Sequence, residues 1–401
     1  MTCSSLNIVY PHNQKLLIRR ANDVVVMKTC HALAARGHRV HLLYGKGRES
    51  REEVFRHYGL SPLPSFQLVP VPVLRRTRPP ALSWHKVYEF FCWRTLRRIM
   101  SRERVDLLYA REPKIIKPLA GKLAGRLPLV FEVHQLSHPA WERPEPRERH
   151  LMHGVQGLAT INEILRERIV RFYDPPFPVC KVPLAAGPVE SPSPFRPPAD
   201  GGPWRLMYVG QLHAAQGVDL ALEALCFLPD SFLLEVVGGT ESQTRELRRK
   251  SEHWGVASRL ALHGFTPPAR LDAVASRAHL FLLPALPQGK RSLASHTKLY
   301  EYMAWGRPVA ASDLPSVRED LGEGKAGALF EPGSPKSLAE TVLRLTSRRE
   351  GLMEMADEAR KRARLFTWEQ RAIRLEQCFE EVLRRGKTAR ENTSRKGKAV
   401  S

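Results

Sequence analysis

Short apolar runs alternate with longer amphipathic segments along the chain. In the first half, the runs that read as strands lie at residues 6–10, 39–45, 105–110 and 128–134. Segments with helical periodicity, such as 21–38 and 115–126, separate these runs. Consecutive apolar positions are typical of strands that are buried on both faces of a parallel sheet. The alternation therefore predicts an α/β domain with helices on both sides of its sheet.

The pattern is interrupted at residues 190–203, ESPSPFRPPADGGP, because proline and glycine at this density fit neither helix nor strand. It resumes with strand-like runs at 205–212, 232–239, 260–265, 279–285, 308–312 and 326–330. We predict an N-terminal domain at 1–190, a linker at 191–203, a C-terminal domain at 204–365, a helix at 366–386 and a basic, disordered tail at 387–401. Because open α/β sheets bind ligands beyond the carboxyl ends of their strands, we expect two Rossmann-like domains that face each other across a cleft.

Composition is that of a soluble globular protein. The 401 residues, 43% hydrophobic and 26% charged, suit two domains that each bury a core. No apolar run reaches the roughly 18 residues of a membrane-spanning helix, and the first residues, MTCSSLNIVYPH, lack the pattern of a secretory signal. The six cysteines are scattered and offer no metal-binding pair. We therefore expect a cytoplasmic protein with reduced thiols.

The net charge of the chain indicates that its partners are anionic. The chain has 63 lysines and arginines against 41 acidic residues, a net charge of +22. Such a surplus attracts nucleic acid, an anionic membrane surface or phosphorylated small molecules. Specific nucleic-acid binding is the weakest alternative, because no recognised motif for it is present. The basic segment 84–104 has an apolar helical face, which either lies peripherally on the inner face of a membrane or packs on the sheet.

The segment SHTKLYEYMAWGRPVAAS, residues 295–312, carries candidate chemistry. It reads as a short helix that follows a strand and ends at a glycine. A helix N-terminus presents unpaired N–H groups and partial positive charge, which hold phosphate oxygens. Lys298 adds a full charge in that turn, and Glu301, one turn later, could accept hydrogen bonds from ribose hydroxyls. The alternative is an ordinary helix, capped by Ser295 or Thr297.

Several ordered sequence blocks resemble one known family. The blocks YVGQLHAAQGVDLALEAL, LEVVGG, LALHGF and FLLPALPQGKRSLASHTKLYEYMAWGRPVAASDLPSVRE follow one another between residues 204 and 385. In this order they resemble the retaining glycosyltransferases of the GT-B fold, in particular glycosyltransferase family 4. The first half resembles the same family more loosely, through CHALAARGHRVHLLYG, VDLLYAREP and FEVHQL.

The resemblance implies an activity. It implies transfer of a sugar from a UDP- or GDP-sugar donor to a glycan or lipid-linked acceptor, with retention of configuration and without a required metal or cofactor. It also implies that the C-terminal domain binds the donor and that the N-terminal domain binds the acceptor. The leaving diphosphate develops negative charge, so cationic and N–H groups must point at it.

The resemblance also assigns residues. Glu301 matches the second glutamate of the family's E-x7-E element, which holds the ribose in relatives. Lys298 and the backbone of Thr297 and Leu299 match the turn beside the diphosphate, and Gly210 matches the donor side as well. His134, at the end of an N-terminal strand, matches a histidine that faces the donor sugar and is the catalytic candidate.

Three departures from the family pattern bear on activity. The first glutamate of E-x7-E is replaced by Leu293, and neutral Gln211 and Gln216 stand where relatives carry a cation on the phosphates. Either Lys290 or Arg291 substitutes for that cation, or these two are surface charges and the donor site is weakened. A catalytically inactive relative that serves as a scaffold or partner subunit is therefore the alternative function.

Overall fold

The chain forms two compact α/β units. The computed structural model describes residues 5–17, 21–73, 84–136, 145–187, 193–287, 293–322 and 324–398. The first unit comprises Met1–Leu184 and Trp368–Ser401, and the second comprises Ala185–Thr367. The prediction of two Rossmann-like domains is confirmed, because each unit contains its own parallel sheet and core.

The first unit is built on a seven-stranded parallel sheet with the order β3-β2-β1-β4-β5-β6-β7. Its strands are Asn7–His12 (β1), Arg39–Gly45 (β2), Phe66–Val71 (β3), Leu107–Ala110 (β4), Leu129–Val133 (β5), Gly157–Thr160 (β6) and Val179–Lys181 (β7). The helices between them are Ala21–Ala35 (α1), Arg51–Tyr58 (α2), Trp84–Met100 (α3), Pro113–Leu123 (α4), Pro146–His153 (α5) and Glu163–Tyr173 (α6). The central strands are buried along their whole length, as their continuous apolar runs predict.

The second unit is built on a six-stranded parallel sheet with the order β10-β9-β8-β11-β12-β13. Its strands are Trp204–Val209 (β8), Phe232–Val237 (β9), Leu260–Gly264 (β10), Leu280–Leu283 (β11), Val309–Ser312 (β12) and Ala328–Phe330 (β13). Its helices are Val218–Ala224 (α7), Glu241–His253 (α8), Pro268–Ala275 (α9), Thr297–Ala304 (α10), Pro315–Leu321 (α11), Pro335–Thr346 (α12) and Arg349–Ala363 (α13).

Strand order reverses once in each sheet, between β1 and β4 in the first unit and between β8 and β11 in the second. At such a switch point the loops that leave the two strands turn in opposite directions and open a crevice beyond their carboxyl ends. Each unit therefore has one preferred place for a ligand.

The proline-rich stretch belongs to the second unit and differs from the predicted linker. From residue 193 onward it packs on that unit, where Phe195 is buried in the core beside Trp204. The guanidinium of buried Arg307 donates to the carbonyl of Ser193 at 2.9 Å. Proline tolerates this extended course because the stretch forms no ladder that would need its missing N–H. The boundary between the units lies at Leu184, earlier than predicted.

The last helix, Trp368–Lys398 (α14), returns to the first unit and packs on α1 and β6. Its buried face includes Leu375, Phe379 and Val382. It is longer than the predicted helix at 366–386, and part of the tail predicted to be disordered is helical up to Lys398. Apolar periodicity in the sequence ends earlier, but arginine, lysine, glutamate and alanine make up most of residues 387–398 and have high helix propensity.

The basic helix α3 packs on the sheet through Tyr88, Cys92 and Leu96, and the Tyr88 hydroxyl donates to the carbonyl of Leu43 in β2 at 3.1 Å. Its other face leaves Phe90 61% exposed. The packing alternative is thus confirmed, while the contact with a membrane stays a prediction. Among the described residues, no helix combines the length and apolar character needed to cross a bilayer.

Candidate functional site

The first candidate site lies at the switch point of the second unit, where glycines let the loops approach closely. Gly210 follows β8 with a φ of +143°. Gly217 has a φ of +68°, and a β-carbon there would overlap the carbonyl oxygen of Pro284, the residue after β11. A β-carbon at Gly238 would likewise overlap the carbonyl of Gly210. Side chains at these positions would push the strand ends apart.

Lys298 lies in the first turn of α10 and reaches across this crevice. Its ammonium group donates to Gln216 Oε1 at 2.6 Å and to the hydroxyl of Tyr208, and it lies 4.3 Å from the centroid of the Tyr208 ring. A β-carbon at Gly210 would overlap the Lys298 side chain. The structure therefore brings together Gly210, Gln216 and Lys298, three residues that the sequence assigned to the donor.

The lysine is half-buried, and burial lowers the pKa of Lys298 to about 7, against the opposing effect of the Glu301 carboxylate. Its partners, an amide and a phenol, are neutral. An anion that enters the crevice would stabilise the protonated amine and would supply the negative charge that these neutral partners lack. The contact of Lys298 with a diphosphate stays a prediction.

Two tyrosines, which sequence reasoning missed, fix this arrangement. Tyr208 accepts from Lys298 and donates to the carbonyl of Gln211 at 2.6 Å. The Tyr302 hydroxyl accepts from the N–H of Val209 at 3.0 Å and donates to the carbonyl of Val209 at 3.1 Å. Both rings are fully buried, so α10 is tied to the end of β8. The sequence signal for them was their place in the family-like blocks: Tyr208 begins the block YVGQLHAAQGVDLALEAL, and Tyr302 lies in the block that contains TKLYEYMAW.

The start of α10 carries the other predicted groups. Thr297 is the first helical residue, and Glu301 lies half-buried one turn after Lys298. The Leu299 N–H already donates to the carbonyl of His296 at 2.9 Å. Burial and the Lys298 charge lower the pKa of His296 to about 4, so its ring is neutral, and its buried Nε2 has no hydrogen-bond partner within the described ranges.

The departures from the family pattern have different outcomes in the structure. Leu293 is 4% exposed, so an apolar contact replaces the first carboxylate of E-x7-E. The side chain of Gln211 is exposed, whereas that of Gln216 holds Lys298. Lys290 and Arg291, the predicted substitute cations, lie outside the described residues.

The second candidate site lies at the carboxyl end of β5 in the first unit. Glu132 accepts hydrogen bonds from Arg371 Nη2 at 2.7 Å and from the hydroxyl of Tyr109. His134 Nε2 lies 2.5 Å from Glu132 Oε1, and Arg111 Nη2 lies 3.3 Å from His134 Nδ1. Burial by itself raises the pKa of Glu132, but Arg371 and His134 outweigh it and bring the pKa to about 2.

His134 is held as a neutral ring in this network. Burial and the charge of Arg111 lower the pKa of His134 to about 4, against the opposing effect of Glu132. Nε2 therefore donates to Glu132, and Nδ1 accepts from Arg111. Both ring nitrogens are engaged, so the ring is oriented rather than free to take a proton. The contact of His134 with a donor sugar stays a prediction.

Polar groups at the β1–β4 switch point were missed by sequence reasoning. His12, the last residue of β1, pairs with Asp23 on α1 at 3.0 Å, and both side chains are fully buried. His12 Nδ1, Asp23 Oδ2, Asn22 Oδ1 and Arg111 Nη1 are buried without a hydrogen-bond partner in the described part of the chain. Nearly all buried polar atoms in folded proteins are hydrogen-bonded, so these four atoms call for a partner such as a water molecule, an ion or a ligand. The signal was a polar residue directly after an apolar strand.

Comparison with known proteins identifies the family that each unit resembles. The family described as Glycosyl transferases group 1 matches residues 203–348, in the second unit, and Glycosyltransferase Family 4 matches residues 23–184, in the first. The D-inositol 3-phosphate glycosyltransferase of Corynebacterium glutamicum (strain R) is 25% identical over 184 residues, which cover 44% of this chain and 43% of that protein. The chain thus spans less than half the length of this curated relative.

Solved structures match nearly the whole chain. Sucrose-phosphate synthase from Thermosynechococcus elongatus has a TM-score of 0.72 at 15% identity, over 94% of this chain and 99% of that one. HepE of Anabaena in complex with UDP has a TM-score of 0.71 at 13% identity, over 93% and 99%. At these identities the likeness shows the fold, a GT-B fold. With one family match in each α/β unit, the chain belongs to the family 4 glycosyltransferases, the glycosyl transferases group 1.

Proposed function

We propose that this protein transfers a sugar from a nucleotide-diphosphate sugar to a glycan or lipid-linked acceptor. The observation that carries the proposal is Lys298, held over Gly210 at the switch point of the second unit, where a diphosphate can replace its neutral partners. The crystallised relative HepE binds UDP, which favours the same class of donor.

In this proposal the departing diphosphate is stabilised by Lys298 and by the N-terminal turn of α10, so the step needs no metal. The leaving diphosphate accepts the acceptor's proton on the face from which it departs, and the configuration is retained. An NMR spectrum of the anomeric proton in the product tests this, because an inverted anomer would exclude it.

Titration calorimetry with UDP, GDP and the matching monophosphates tests donor binding. We expect micromolar binding of one diphosphate and much weaker binding of its monophosphate, because the second phosphate meets Lys298. Turnover of the corresponding nucleotide sugar then separates an enzyme from an inactive scaffold. Equal affinity for monophosphate and diphosphate would show that Lys298 does not hold the second phosphate.

Donor affinity is expected to fall with rising pH. UDP-glucose serves as the probe, because both its phosphates are diesters and keep their charge through the neutral range. Only protonated Lys298 attracts them, so above its pKa of about 7 the affinity should drop about tenfold per pH unit up to pH ~9. Calorimetry from pH ~6 to ~9 measures this. Lys298→Gln should bind weakly with a flat profile, whereas an equally steep profile in that variant would assign the titration to another group.

Glu301 is expected to recognise the ribose. Glu301→Gln should weaken UDP binding by about tenfold or more, since hydrogen bonds to a charged group contribute about 1.5–3 kcal/mol. The sharper measurement compares UDP with 2′,3′-dideoxy-UDP. Wild type should discriminate between the two ligands and Glu301→Gln should not. Undiminished discrimination in the variant would sink the ribose assignment.

A further inference from the structure

A groove of about 600 Å³ lies at the carboxyl edge of the sheet in the first unit. Its lining includes Lys15 after β1, Lys46, Arg48 and Glu49 after β2, and Pro72 and Val73 after β3. We refer to it as the basic groove. Its volume suits a ligand of the size of a sugar phosphate, and neither the family resemblance nor the donor site accounts for it.

Backbone hydrogen bonds fix the three loops that form the basic groove. The N–H of Gly45 donates to the carbonyl of Gln14 at 2.9 Å, and the N–H of Lys46 donates to the carbonyl of Val71 at 2.8 Å. The ends of β1, β2 and β3 are therefore held together. The shape of the groove is therefore set by three strand ends that are hydrogen-bonded to one another.

The cations of the basic groove outnumber its anions among the described residues. Within the described ranges of the first unit, no ion pair joins Lys15, Lys46 or Arg48 to a carboxylate. Three positive charges thus face one carboxylate in the lining, that of Glu49. Like charges that line one groove repel each other, and a bound anion relieves the repulsion.

Glu49 shows where an anion can lie. Its carboxylate folds back over Gly47, where a β-carbon would overlap Glu49 Oε2. Glycine at that position therefore makes room for a carboxylate against the backbone. The carboxylate of Glu49 therefore lies along part of the groove.

We propose that the basic groove binds a phosphate group on the acceptor, which rests on the proposed function and names its acceptor class as phosphorylated. Arg48 can bind two phosphate oxygens at once, and Lys15 and Lys46 add point charges on either side. The donor's diphosphate is met by Lys298 in the second unit, so these cations are left for a different phosphate.

Phosphorus NMR titration with sn-glycerol 3-phosphate tests the proposal in the presence of saturating UDP, which fills the donor site. The test variant is Lys46→Gln with Arg48→Gln. The matched control is Arg97→Gln with Lys117→Gln, which removes the same charge from exposed positions on α3 and α4. Glu49→Gln, which removes the internal competitor, completes the set.

We expect wild type to bind glycerol 3-phosphate, and we expect an excess of glycerol not to displace it. The test variant should lose at least about tenfold in affinity, the control less than about twofold, and Glu49→Gln should bind more tightly. Equal losses in the test and control variants, or no loss in either, would overturn the proposal.

Vesicles of phosphatidylcholine with and without phosphatidic acid distinguish two sources of the phosphate. Binding to phosphatidic acid that the test variant loses would support a lipid-borne acceptor phosphate. Binding of glycerol 3-phosphate without vesicle binding would support a soluble phosphorylated acceptor. If UDP binds but the affinity for glycerol 3-phosphate does not change in the test variant, only the groove proposal fails. If no nucleotide binds, the proposed function itself fails.

Discussion

Arg371→Met is expected to lower the free energy of unfolding of the first unit by about 3–5 kcal/mol, the usual cost of removing one partner from a buried ion pair. Arg371 is 1% exposed and donates to Glu132, to the carbonyls of Val182 and Pro183, and to Thr29. Its loss leaves the ionised Glu132 carboxylate without its cationic partner and removes the arginine donor from two buried carbonyls. Urea denaturation followed by pulsed hydrogen exchange and mass spectrometry, read on peptides of β5, measures the change.

Two variants separate the ion pair from other effects. Arg385→Met removes an exposed arginine from the same helix, where it pairs with Glu381 at 2.9 Å, and should cost less than about 0.5 kcal/mol. Glu132→Gln combined with Arg371→Met should cost less than the sum of the two single changes, because no charge is left buried alone. A loss in Arg371→Met as small as that in Arg385→Met would contradict a buried pair.

Gly217→Ala is expected to lower the free energy of unfolding of the second unit by about 2–5 kcal/mol, combining a left-handed backbone with overpacking. The added methyl would overlap the carbonyl oxygen of Pro284, a backbone atom that cannot rotate away. The strand ends of β8 and β11 must separate, and Gln216 moves with them. We therefore also expect UDP binding to be lost.

Gly255→Ala is the matched control, because Gly255 has the same φ of +68° but no atom within 4 Å of the added β-carbon. It should cost only about 1 kcal/mol, the backbone part of the penalty, and leave UDP binding unchanged. Thermal unfolding and UDP titration of both variants make the comparison. If the two variants lose the same stability, the close approach of the loops does not constrain the site.

The helix α10 shows how far local sequence reaches. Its extent, its place after a strand and the position of Lys298 in its first turn follow from periodicity and from the glycine after its last turn, signals that act within a few residues. The predicted caps, Ser295 and Thr297, were wrong, because the N-cap is His296 and its side chain makes no capping hydrogen bond. What Lys298 touches does not follow. Tyr208 and Gln216 lie 90 and 82 positions before Lys298 in the sequence, and no local pattern around these residues predicts the contact. The sequence analysis therefore placed Gln216 at the site but as a missing cation, whereas it is the partner of one.

Two other segments, residues 190–203 and the last helix α14, show the same limit. Proline and glycine at 190–203 predict an absence of regular structure, and they do not tell whether the stretch links two units or packs on one of them. Phe195, a single buried ring, decides that it packs on the second unit. In α14, residues with high helix propensity continue the helix beyond the last apolar positions of its sequence, and periodicity alone does not predict this extension.

The sequence by itself determined the α/β alternation, the two units, the family and the helix that carries the donor candidates, because each is written in local periodicity or in ordered blocks of residues. Only the tertiary structure decided which charges are neutralised and which are not. Arg371 reaches Glu132 across 239 positions, while Lys15 and Arg48 line one groove and form no ion pair with any described residue. Charge acts through distance in space, and chain folding sets that distance.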